Sequence, residues 1–380
     1  MTSGYKQTEV GLIPVDWDIR SIAQIAPLQR GFDLPTTQIK DGPYPVVYSN
    51  GVMNYHATAM AHGPGVVTGR SGTLGKVHYV DADYWPHNTS LWVTRFNGNV
   101  PRFVYYLYTG IGFVRFASGS GVPTLNRNDA HAFRVPLPPT KAEQQAIAAA
   151  LSDADALIEA LEQLIAKKRH LKQGTMQELL TGKKRLPGFS GEWEVKQFGE
   201  AVALRGERID PRATGTQEFC VELEHIGSAT GLLLGSTSTG EQSSLKSVFR
   251  SGDVLFGKLR AYLRKYWWAD RSGVCSTEIW VFSPRATRIS STYLFQLVQT
   301  DEFIEAASST YGTHMPRSDW NVVKNYELHL PPTTEEQTAI AAILSDMDAE
   351  IAALEAKLTK TRSLKQGMMH NLLTGKVRLI

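Results

Sequence analysis

The sequence is poor in cysteine and has no long hydrophobic run. Cys220 and Cys275 are its two cysteines, and their spacing matches neither a metal site nor a disulfide framework. Such usage is typical of a reduced cytosolic protein in which cysteines are small buried side chains. No run of about 18 apolar residues occurs, and the N-terminus has no apolar signal region. These absences predict a cytoplasmic protein without a membrane span.

The sequence also lacks motifs for catalysis. No G-x-G-x-x-G follows a predicted strand, and Gly182-Lys183-Lys184 has neither the Ser/Thr nor the earlier Gly of a phosphate-binding loop. Two Leu-Pro-Pro-Thr strings share only their proline pair with the Asn/Asp-Pro-Pro-aromatic motif of methyltransferases. The histidines show no metal-ligand spacing. We therefore expect no catalytic residue, no bound cofactor and no metal ligand in this chain.

Composition is that of an ordinary globular protein. Apolar residues make up 42% and charged residues 20% of the 380 positions. The net charge of +3 is compatible with a nucleic-acid partner but does not indicate one without local clustering. The length predicts two or three domains.

A repeat divides the chain. Residues 137–186 and 330–379 align without a gap at an offset of 193 (330 − 137 = 193), and about two-thirds of the aligned positions are identical. Each copy is typical of one long helix that begins at a capping box, in which a Thr hydroxyl and a Glu carboxylate exchange hydrogen bonds with the first turn. The boxes are Thr140 with Glu143 and Thr333 with Glu336, and Gly182 and Gly375 are candidate stops.

Both helices carry an apolar seam with steps of four and three residues. Its members are Ile147, Leu151, Ala154, Ile158, Leu161 and Ile165, then Ile340, Leu344, Met347, Ile351, Leu354 and Leu358. This spacing indicates a coiled coil. We expect the two copies to pair antiparallel, each about 60 Å long, around an approximate two-fold axis. The alternative is that each helix packs on its own globular segment.

The segments between the helices predict small domains of strands and helices. Short Val-, Tyr- and Phe-rich runs alternate with Gly, Pro and Asn, as in strands with tight turns. Val100–Ala117 has the spacing of a packed helix, and 291–309 is its counterpart in the second segment. Trp17 and Trp193 open similar leaders and are expected to seal each domain against a helix end.

The predicted fold class is α+β, with two α/β domains separated by two long helices that form an antiparallel, pseudo-two-fold coiled coil. The predicted boundaries are 1–139 for the first domain, 140–186 for the first helix, 187–332 for the second domain and 333–380 for the second helix. The domains have diverged far more than the helices. This contrast suggests that the helices bind the same partner twice while the domains bind different targets.

Basic and aromatic residues cluster in both domains. Lys258, Arg260 and Lys265 alternate with tyrosines and tryptophans, and Arg70 and Lys76 flank a Gly/Ser/Thr-rich turn followed by Asn88. Arg and Lys contact phosphates or guanine edges, and Asn pairs with adenine. A solvated basic face beside core aromatics would give the same pattern, so the residues alone leave both interpretations open.

The whole chain resembles the specificity (S) subunit of type I restriction–modification systems. The resemblance rests on the duplicated motif LPPT-x-x-EQ-x-AI-x-A, LKQG and LLTGK-x-RL. Weaker motifs are YPVVYSNG, TGRSGTLGKVHYV and HNTSLWV in the first domain, and GDVLFGKLRAYLRK, CSTEIWV and GTHMPR in the second.

The resemblance implies a non-catalytic, DNA-binding subunit of a host-defence complex. Each domain would be a target recognition domain that reads one half of a split, asymmetric sequence in double-stranded DNA. The coiled coil would set the spacer and dock two modification subunits, with restriction subunits in the full complex. Adenine-N6 methylation with S-adenosylmethionine, and ATP- and Mg²⁺-dependent translocation and cleavage, would belong to those partners.

The residues that match the motifs are the expected DNA contacts. They are Ser49, Asn50, Gly69, Arg70, Ser71, Thr73, Lys76, Asn88 and Thr89 in the first domain, and Lys258, Arg260, Tyr262, Lys265, Thr277, His314 and Arg317 in the second. Glu278 is expected to be a buried partner of an arginine rather than a base reader. Two other functions stay open: a coiled-coil adaptor that binds two proteins and no nucleic acid, and a specificity component of a related enzyme that combines recognition and modification differently.

Overall fold

The computed structural model describes residues 4–118, 123–239, 244–309 and 316–379. The chain divides into two compact units: unit 1 comprises Met1–Glu162 with Ala356–Ile380, and unit 2 comprises Gln163–Glu355. Each unit thus contains one globular domain, part of the first long helix and part of the second. The predicted domain boundaries follow the order of domains and helices along the chain rather than these two units, and they remain predictions.

Within their described residues, the first domain and its long helix contain short strands and four α-helices. The strands are β1 (Tyr5–Thr8), β2 (Gly11–Pro14), β3 (Asp18–Ser21), β4 (Leu28–Arg30), β5 (Tyr44–Tyr48), β6 (Gly51–His56), β7 (Gly65–Gly69), β8 (Val77–Val80), β9 (Trp85–Pro86), β10 (Ser90–Val93), β11 (Ala117–Ser118), β12 (Thr124–Leu125) and β13 (Arg134–Leu137). The helices are α1 (Ile22–Ile25), α2 (Pro101–Ile111), α3 (Arg127–Ala132) and α4 (Lys141–Leu179), and Thr36–Gln38 and Phe113–Phe116 form 3₁₀ turns.

The second domain repeats this arrangement in outline. Its strands are β14 (Glu194–Gln197), β15 (Val202–Leu204), β16 (Arg208–Ile209), β17 (Cys220–Val221), β18 (Lys246–Phe249), β19 (Val254–Gly257), β20 (Tyr266–Trp268), β21 (Gly273–Ser276), β22 (Ile279–Pro284) and β23 (Glu327–Leu330). Its helices are α5 (Phe198–Ala201), α6 (Pro211–Thr214), α7 (Ser291–Leu297), α8 (Asp301–Ser308), α9 (Trp320–Val323) and α10 (Thr334–Leu373), with 3₁₀ turns at Leu223–His225 and Ala261–Leu263.

One four-stranded antiparallel sheet has the same order in both domains. The order is β4-β10-β7-β8 in the first and β15-β22-β19-β20 in the second. Each domain also has another sheet, and these sheets differ: the first domain has three strands (β6-β5-β9), and the second has four (β16-β18-β21-β17). The predicted mixture of helix and sheet, with a shared plan and diverged detail, is confirmed.

The leaders pack as the tryptophans predicted. Strand β3 pairs with β13, which directly precedes α4, and β14 pairs with β23, which precedes α10. Trp17 is fully buried in the core of unit 1 and lies against Gly375, while Trp193 lies against Gly182. Both glycines have positive φ, 71° at Gly182 and 72° at Gly375, and follow the ends of α4 and α10 as predicted.

The predicted helix at 100–117 is shorter in the structure, and its counterpart is broken. Helix α2 ends at Ile111 because Gly112 takes a left-handed conformation with φ 70°. In the second domain 291–309 forms two helices, and the Thr300 hydroxyl caps α8 by accepting from the amide of Phe303. Periodicity alone predicts the apolar face but misses such interruptions.

The structure contains one of the two hydrogen bonds predicted for each capping box. The Thr140 hydroxyl accepts from the Glu143 amide at 3.2 Å, and Thr333 does the same for Glu336 at 3.3 Å. The carboxylates do not return to the cap amides, because Glu143 is held by Arg378 instead and Glu336 by Arg185.

The long helices run antiparallel to each other within each unit. In unit 1, Arg362 contacts Glu162 at 2.5 Å and Lys365 contacts Asp155. In unit 2 the pairs are Arg169 with Glu355 at 2.5 Å and Lys172 with Asp348 at 2.5 Å. Each pair of unit 2 lies 193 positions from one of unit 1, so the charge pattern that fixes the pairing is itself duplicated.

The apolar seams enter the cores of the units. Ile147 and Leu151 of α4 pack in the core of unit 1 with Leu372 and Leu373 of α10. In unit 2 the same positions of α10, Ile340 and Leu344, pack with Met176 and Leu179 of α4 and with Leu180, which follows this helix. Because each core also contains residues of its domain, both interpretations of the seam are correct: the helices pair, and both pack on the globular segments. Helices of 39 and 40 residues confirm the expected length of about 60 Å.

Candidate nucleic-acid interface

Three loops of the first domain meet at one end of its four-stranded sheet. The segment after β7 begins with Arg70, whose amide donates to the Thr89 carbonyl at 2.9 Å and whose carbonyl accepts from the Leu125 amide at 2.8 Å. Ser71 also donates to the Thr89 carbonyl, at 3.1 Å. Arg70 is therefore held on both sides by backbone, while its side chain is partly exposed.

Glycine is required where this segment turns. A Cβ on Gly69 would lie 1.9 Å from the carbonyl oxygen of Thr73, a backbone atom that cannot move aside. Gly72 and Gly75 have φ of 82° and 84°, in the left-handed region that favours glycine. The turn of 69–75 is thus fixed by its own backbone and presents Ser71 and Thr73 beside Arg70.

The hairpin between β5 and β6 joins the same edge. The Ser49 amide donates to the Thr89 hydroxyl at 3.4 Å, and the exposed side chain of Asn50 follows it. His87 contacts the same hydroxyl at 3.0 Å, and burial lowers the pKa of its imidazole. Lys76 uses its carbonyl to accept from Thr68 and leaves its ammonium exposed. The structure therefore brings together all nine candidate residues of the first domain.

The second domain builds the same backbone frame with other side chains. Lys258 follows β19 as Arg70 follows β7; its amide donates to the Glu278 carbonyl at 3.0 Å and its carbonyl accepts from the Ser318 amide at 2.9 Å. Ser318 lies 193 positions after Leu125. Lys258 thus occupies the position of Arg70, and Thr277 and Glu278 occupy those of Asn88 and Thr89.

Arg260 and Tyr262 extend this edge. Arg260 has a φ of 55°, donates its amide to the Pro316 carbonyl at 2.9 Å and has an exposed side chain. Tyr262 is also exposed. The neighbouring Tyr266 and Trp267 are buried in the cores, so the aromatic part of this basic stretch is mainly structural.

Glu278 pairs with an arginine as expected, but its side chain is 28% exposed rather than buried. Its carboxylate accepts from Arg317 Nε at 2.9 Å and Nη2 at 3.2 Å, and this bidentate bond raises the pKa of the guanidinium. Arg317 lies at the edge beside Lys258, and its guanidinium is paired with Glu278 in the absence of DNA.

Lys265 and His314 differ from the other candidates. The Lys265 ammonium donates to the backbone carbonyl of Leu223 at 2.5 Å, an arrangement that ties two segments of the domain together. His314 lies outside the described residues.

Two features were missed by the sequence. Asp33 contacts the side chain of Asn88, and Arg30 donates to the same carboxylate at 2.8 Å. The segments around Leu125 and Ser318 complete the frame in each domain. Pro123 and Pro316 lie at the repeat offset of 193, which was a signal for the second feature. No local pattern links Asp33 to a residue 55 positions away.

No metal-binding group emerges from these residues. Across the described ranges, no three His, Cys, Asp or Glu side chains come together in a way that could hold an ion. Within the same ranges, none of the helices has the length and apolar character needed to cross a membrane. Cys220 and Cys275 are free thiols inside the second domain, and burial raises the pKa of Cys220 to about 11.

The model of the type I restriction modification DNA specificity domain matches the chain twice, over residues 14–168 and 191–361. The chain belongs to this family. The two matches cover the two globular domains and most of both long helices, so each half of the type I specificity chain is one copy of the family domain.

Curated relatives carry the same description. The chain is 25% identical to the type I restriction enzyme MjaVIII specificity subunit of Methanocaldococcus jannaschii over 286 residues, which cover 69% of this chain and 66% of that subunit. It is 21% identical to the EcoDI specificity subunit of Escherichia coli, over 88% of this chain and 82% of that one.

Solved structures share the fold. The S subunit of a type I restriction–modification system from M. genitalium superposes with a TM-score of 0.64 at 15% identity, covering 98% of this chain and 99% of that chain. A second chain, described in terms of complex assembly and conformational transition of the type I system, gives 0.57 at 15% identity, over 96% and 99% of the two chains.

Proposed function

We propose that this chain is the non-catalytic DNA-reading subunit of a type I restriction–modification complex, each domain reading one half of a split target. The observation that carries the proposal is the repeated frame. The same three backbone segments hold Arg70 in one domain and Lys258 in the other, and the side chains around them differ. A shared frame with different side chains suits two domains that read different bases in double-stranded DNA.

The chemistry of the two edges supports direct readout. Arg70 and Asn88 are residues that pair with guanine and adenine edges, while Lys76 and Arg260 expose charges suited to phosphates. A substitution at a base-reading residue should relax one position of one half-site, and a substitution at a phosphate contact should weaken all sequences alike. Cytoplasmic location remains a prediction from the sequence.

The antiparallel helices support a role as a spacer. Their pairing is fixed by ion pairs that recur at an offset of 193, so a change of length in one helix requires the same change in the other. We expect seven residues added to both helices at facing positions to add about 10 Å, or about three base pairs, between the half-sites. Altered half-sites with an unchanged spacer would contradict this role.

The solvent faces of the helices support docking of two equal modification subunits. Leu171 is 55% exposed and its repeat counterpart Leu364 is 63% exposed. Three residues later, Gly174 and Gly367 have open space where a side chain would stand, so a partner could approach closely. These partners would bring S-adenosylmethionine chemistry, and restriction subunits would bring ATP and Mg²⁺.

Docking can be tested one site at a time. Leu171→Glu and Leu364→Glu should each reduce the number of modification subunits per chain from two to one, and the double variant should bind none, as measured by native mass spectrometry. Leu157→Glu is the matched control, since Leu157 is an exposed leucine of α4 whose repeat counterpart is Glu350. Two bound subunits in the double variant would remove this surface from the proposal.

The central experiment is methylation mapping. The chain is co-expressed with its modification subunit in a host lacking other adenine methyltransferases, and methylated adenines are located across the genome. We expect a split motif with two unlike half-sites. Absence of any methylated motif, together with no DNA binding by the assembled complex at low salt, would favour an adaptor that joins two proteins.

A further inference from the structure

A carboxylate of the first domain holds the amide of Asn88. Asp33 follows β4, and its Oδ1 accepts from Asn88 Nδ2 and from Arg30 Nη2, the latter at 2.8 Å. The bond from Asn88 is the main reason that the pKa of Asp33 lies below its ordinary value. An aspartate at its ordinary pKa of about 3.9 is already ionised at neutral pH, so the Asp33 carboxylate can only accept hydrogen bonds.

This partner decides which way the amide faces. An asparagine side chain has an oxygen that accepts and a nitrogen that donates, and either can face a neutral polar neighbour. Against an ionised carboxylate only the nitrogen fits, so the Oδ1 of Asn88 must face away from Asp33. Among the residues that the structure describes, Oδ1 receives no hydrogen bond, and the second N–H of the amide is also left for another acceptor.

The backbone beneath this side chain is held as well. Arg70 Nη1 donates to the Asn88 carbonyl at 3.3 Å, and the next residue, Thr89, accepts through its carbonyl from Arg70 and Ser71. Asn88 thus has a fixed main chain and a side chain with one allowed orientation. A side chain held in one orientation in this way is suited to the recognition of a single base.

We propose that Asp33 is a positioning residue for base readout: it orients Asn88 so that Oδ1 and one N–H face an adenine in the half-site of the first domain. The inference rests on the proposed function and adds a base preference to it. Adenine offers an N6 donor and an N7 acceptor in the major groove, which match an amide that presents one acceptor and one donor. An amide turned the other way would present donors, which suit the N7 and O6 acceptors of guanine.

The experiment compares methylation motifs of the full complex. Asp33→Ala, the isosteric Asp33→Asn, Asn88→Ala and the double variant Asp33→Ala/Asn88→Ala are each co-expressed with the modification subunit. Asp41→Ala, which removes an exposed carboxylate from the same domain, is the control. The base frequency at every motif position is read from the methylated sites, and the half-site of the second domain reports folding and assembly.

We expect one adenine position of the first half-site to lose discrimination by about 5- to 150-fold in Asp33→Ala. Asp33→Asn should relax the same position, because an amide at 33 can either accept from Asn88 or donate to it. The double variant should equal Asn88→Ala, since Asp33 acts through Asn88. The spacer, the second half-site and the Asp41→Ala motif should stay unchanged.

Three results would overturn the inference. One is an unchanged first half-site in Asp33→Asn, which keeps the shape of the side chain. Another is equal weakening of both half-sites in Asp33→Ala and Asp33→Asn, which indicates a role in folding alone. A third is a relaxed position that differs between the Asp33 and Asn88 variants. Failure of the proposed function is distinct, because the unaltered chain would then give no split motif at all.

Discussion

Replacing Arg378 by alanine should destabilise unit 1 through the carboxylate of Glu143. The Glu143 side chain is fully buried, and that of Arg378 is 29% exposed. The guanidinium holds the carboxylate with two hydrogen bonds of 2.8 Å, and Trp17 Nε1 donates a third at 3.3 Å. Without Arg378, a buried charge keeps one neutral donor and loses its counter-charge.

The loss of unfolding free energy in Arg378→Ala follows from the burial of the Glu143 carboxylate. Removing one partner of a buried ion pair costs about 3–5 kcal/mol. Because Arg378 is nearly a third exposed, water replaces part of its effect, and we expect about 3 kcal/mol. In a unit of roughly 190 residues, each kcal/mol moves the melting temperature by about 2–4 °C, so unit 1 should melt about 6–12 °C lower.

Calorimetry and hydrogen exchange would measure this loss and place it in the chain. Exchange should accelerate at the first turn of α4 in Arg378→Ala. Arg185→Ala tests the equivalent contact in unit 2, where Arg185 holds Glu336 with two bonds of 2.8 Å. The loss there should be at least as large, since Trp193 Nε1 has no hydrogen-bond partner among the described residues and gives Glu336 no support.

Two further variants test whether the Arg378 guanidinium stabilises the buried carboxylate of Glu143. Arg134→Ala removes an exposed ion pair with Glu9 and should change stability by less than about 0.5 kcal/mol. Arg378→Met with Glu143→Gln removes both charges and should recover most of the loss, since paired apolar and neutral replacements of buried ion pairs are often tolerated. If Arg378→Ala is as stable as Arg134→Ala, the buried carboxylate of Glu143 does not depend on the guanidinium.

Two further predictions concern pH and helix propensity. The Nε2 atom of His131 accepts a hydrogen bond from the Leu28 amide at 2.9 Å, and burial lowers the pKa of the imidazole. The neutral imidazole therefore contributes its full stability above the ordinary pKa of 6.5, and this contribution is lost as the pH falls through the folded pKa. His131→Gln should flatten the pH dependence of the unfolding free energy below pH 6.5, and an unchanged slope would contradict this. Gly174→Ala should stabilise the isolated chain by about 0.5–1 kcal/mol in urea unfolding, because alanine favours a helix over glycine and the added methyl group would contact no other atom. A loss of stability would show that the methyl group clashes with a neighbour.

The long helices were predictable because their signals are local. Capping threonines, a seam with steps of three and four, and terminal glycines act within a few turns, and the duplication allowed each to be read twice. What the carboxylates of the capping boxes do was not predictable. Glu143 is held by Arg378, 235 positions away, and an arginine that arrives from the other end of the chain is a stronger partner than a nearby amide.

In the candidate interface, too, local features were predictable from the sequence and long-range contacts were not. The turn at 69–75 and its contacts with Thr89 lie close enough in sequence for motifs to indicate them. Asp33 was missed because its contact with Asn88 depends on which strands are neighbours, and strand order is a property of the whole sheet. Lys265 gives a related example: residue type shows the charge, but only the fold shows that its ammonium donates to a backbone carbonyl.

The division of the chain between the units has a consequence for its synthesis. Unit 2 is one continuous segment, 163–355, whereas unit 1 takes its last part, 356–380, from the far end of the chain. Roughly 200 residues separate the end of its first part from the completion of its second, which takes the ribosome about 10–40 s at about 5–20 residues per second. Of the two domains, the one that is made earlier is thus completed later, and until Arg378 emerges the carboxylate of Glu143 is without its guanidinium. Chaperone binding and proteolysis during synthesis should therefore concentrate on the N-terminal domain.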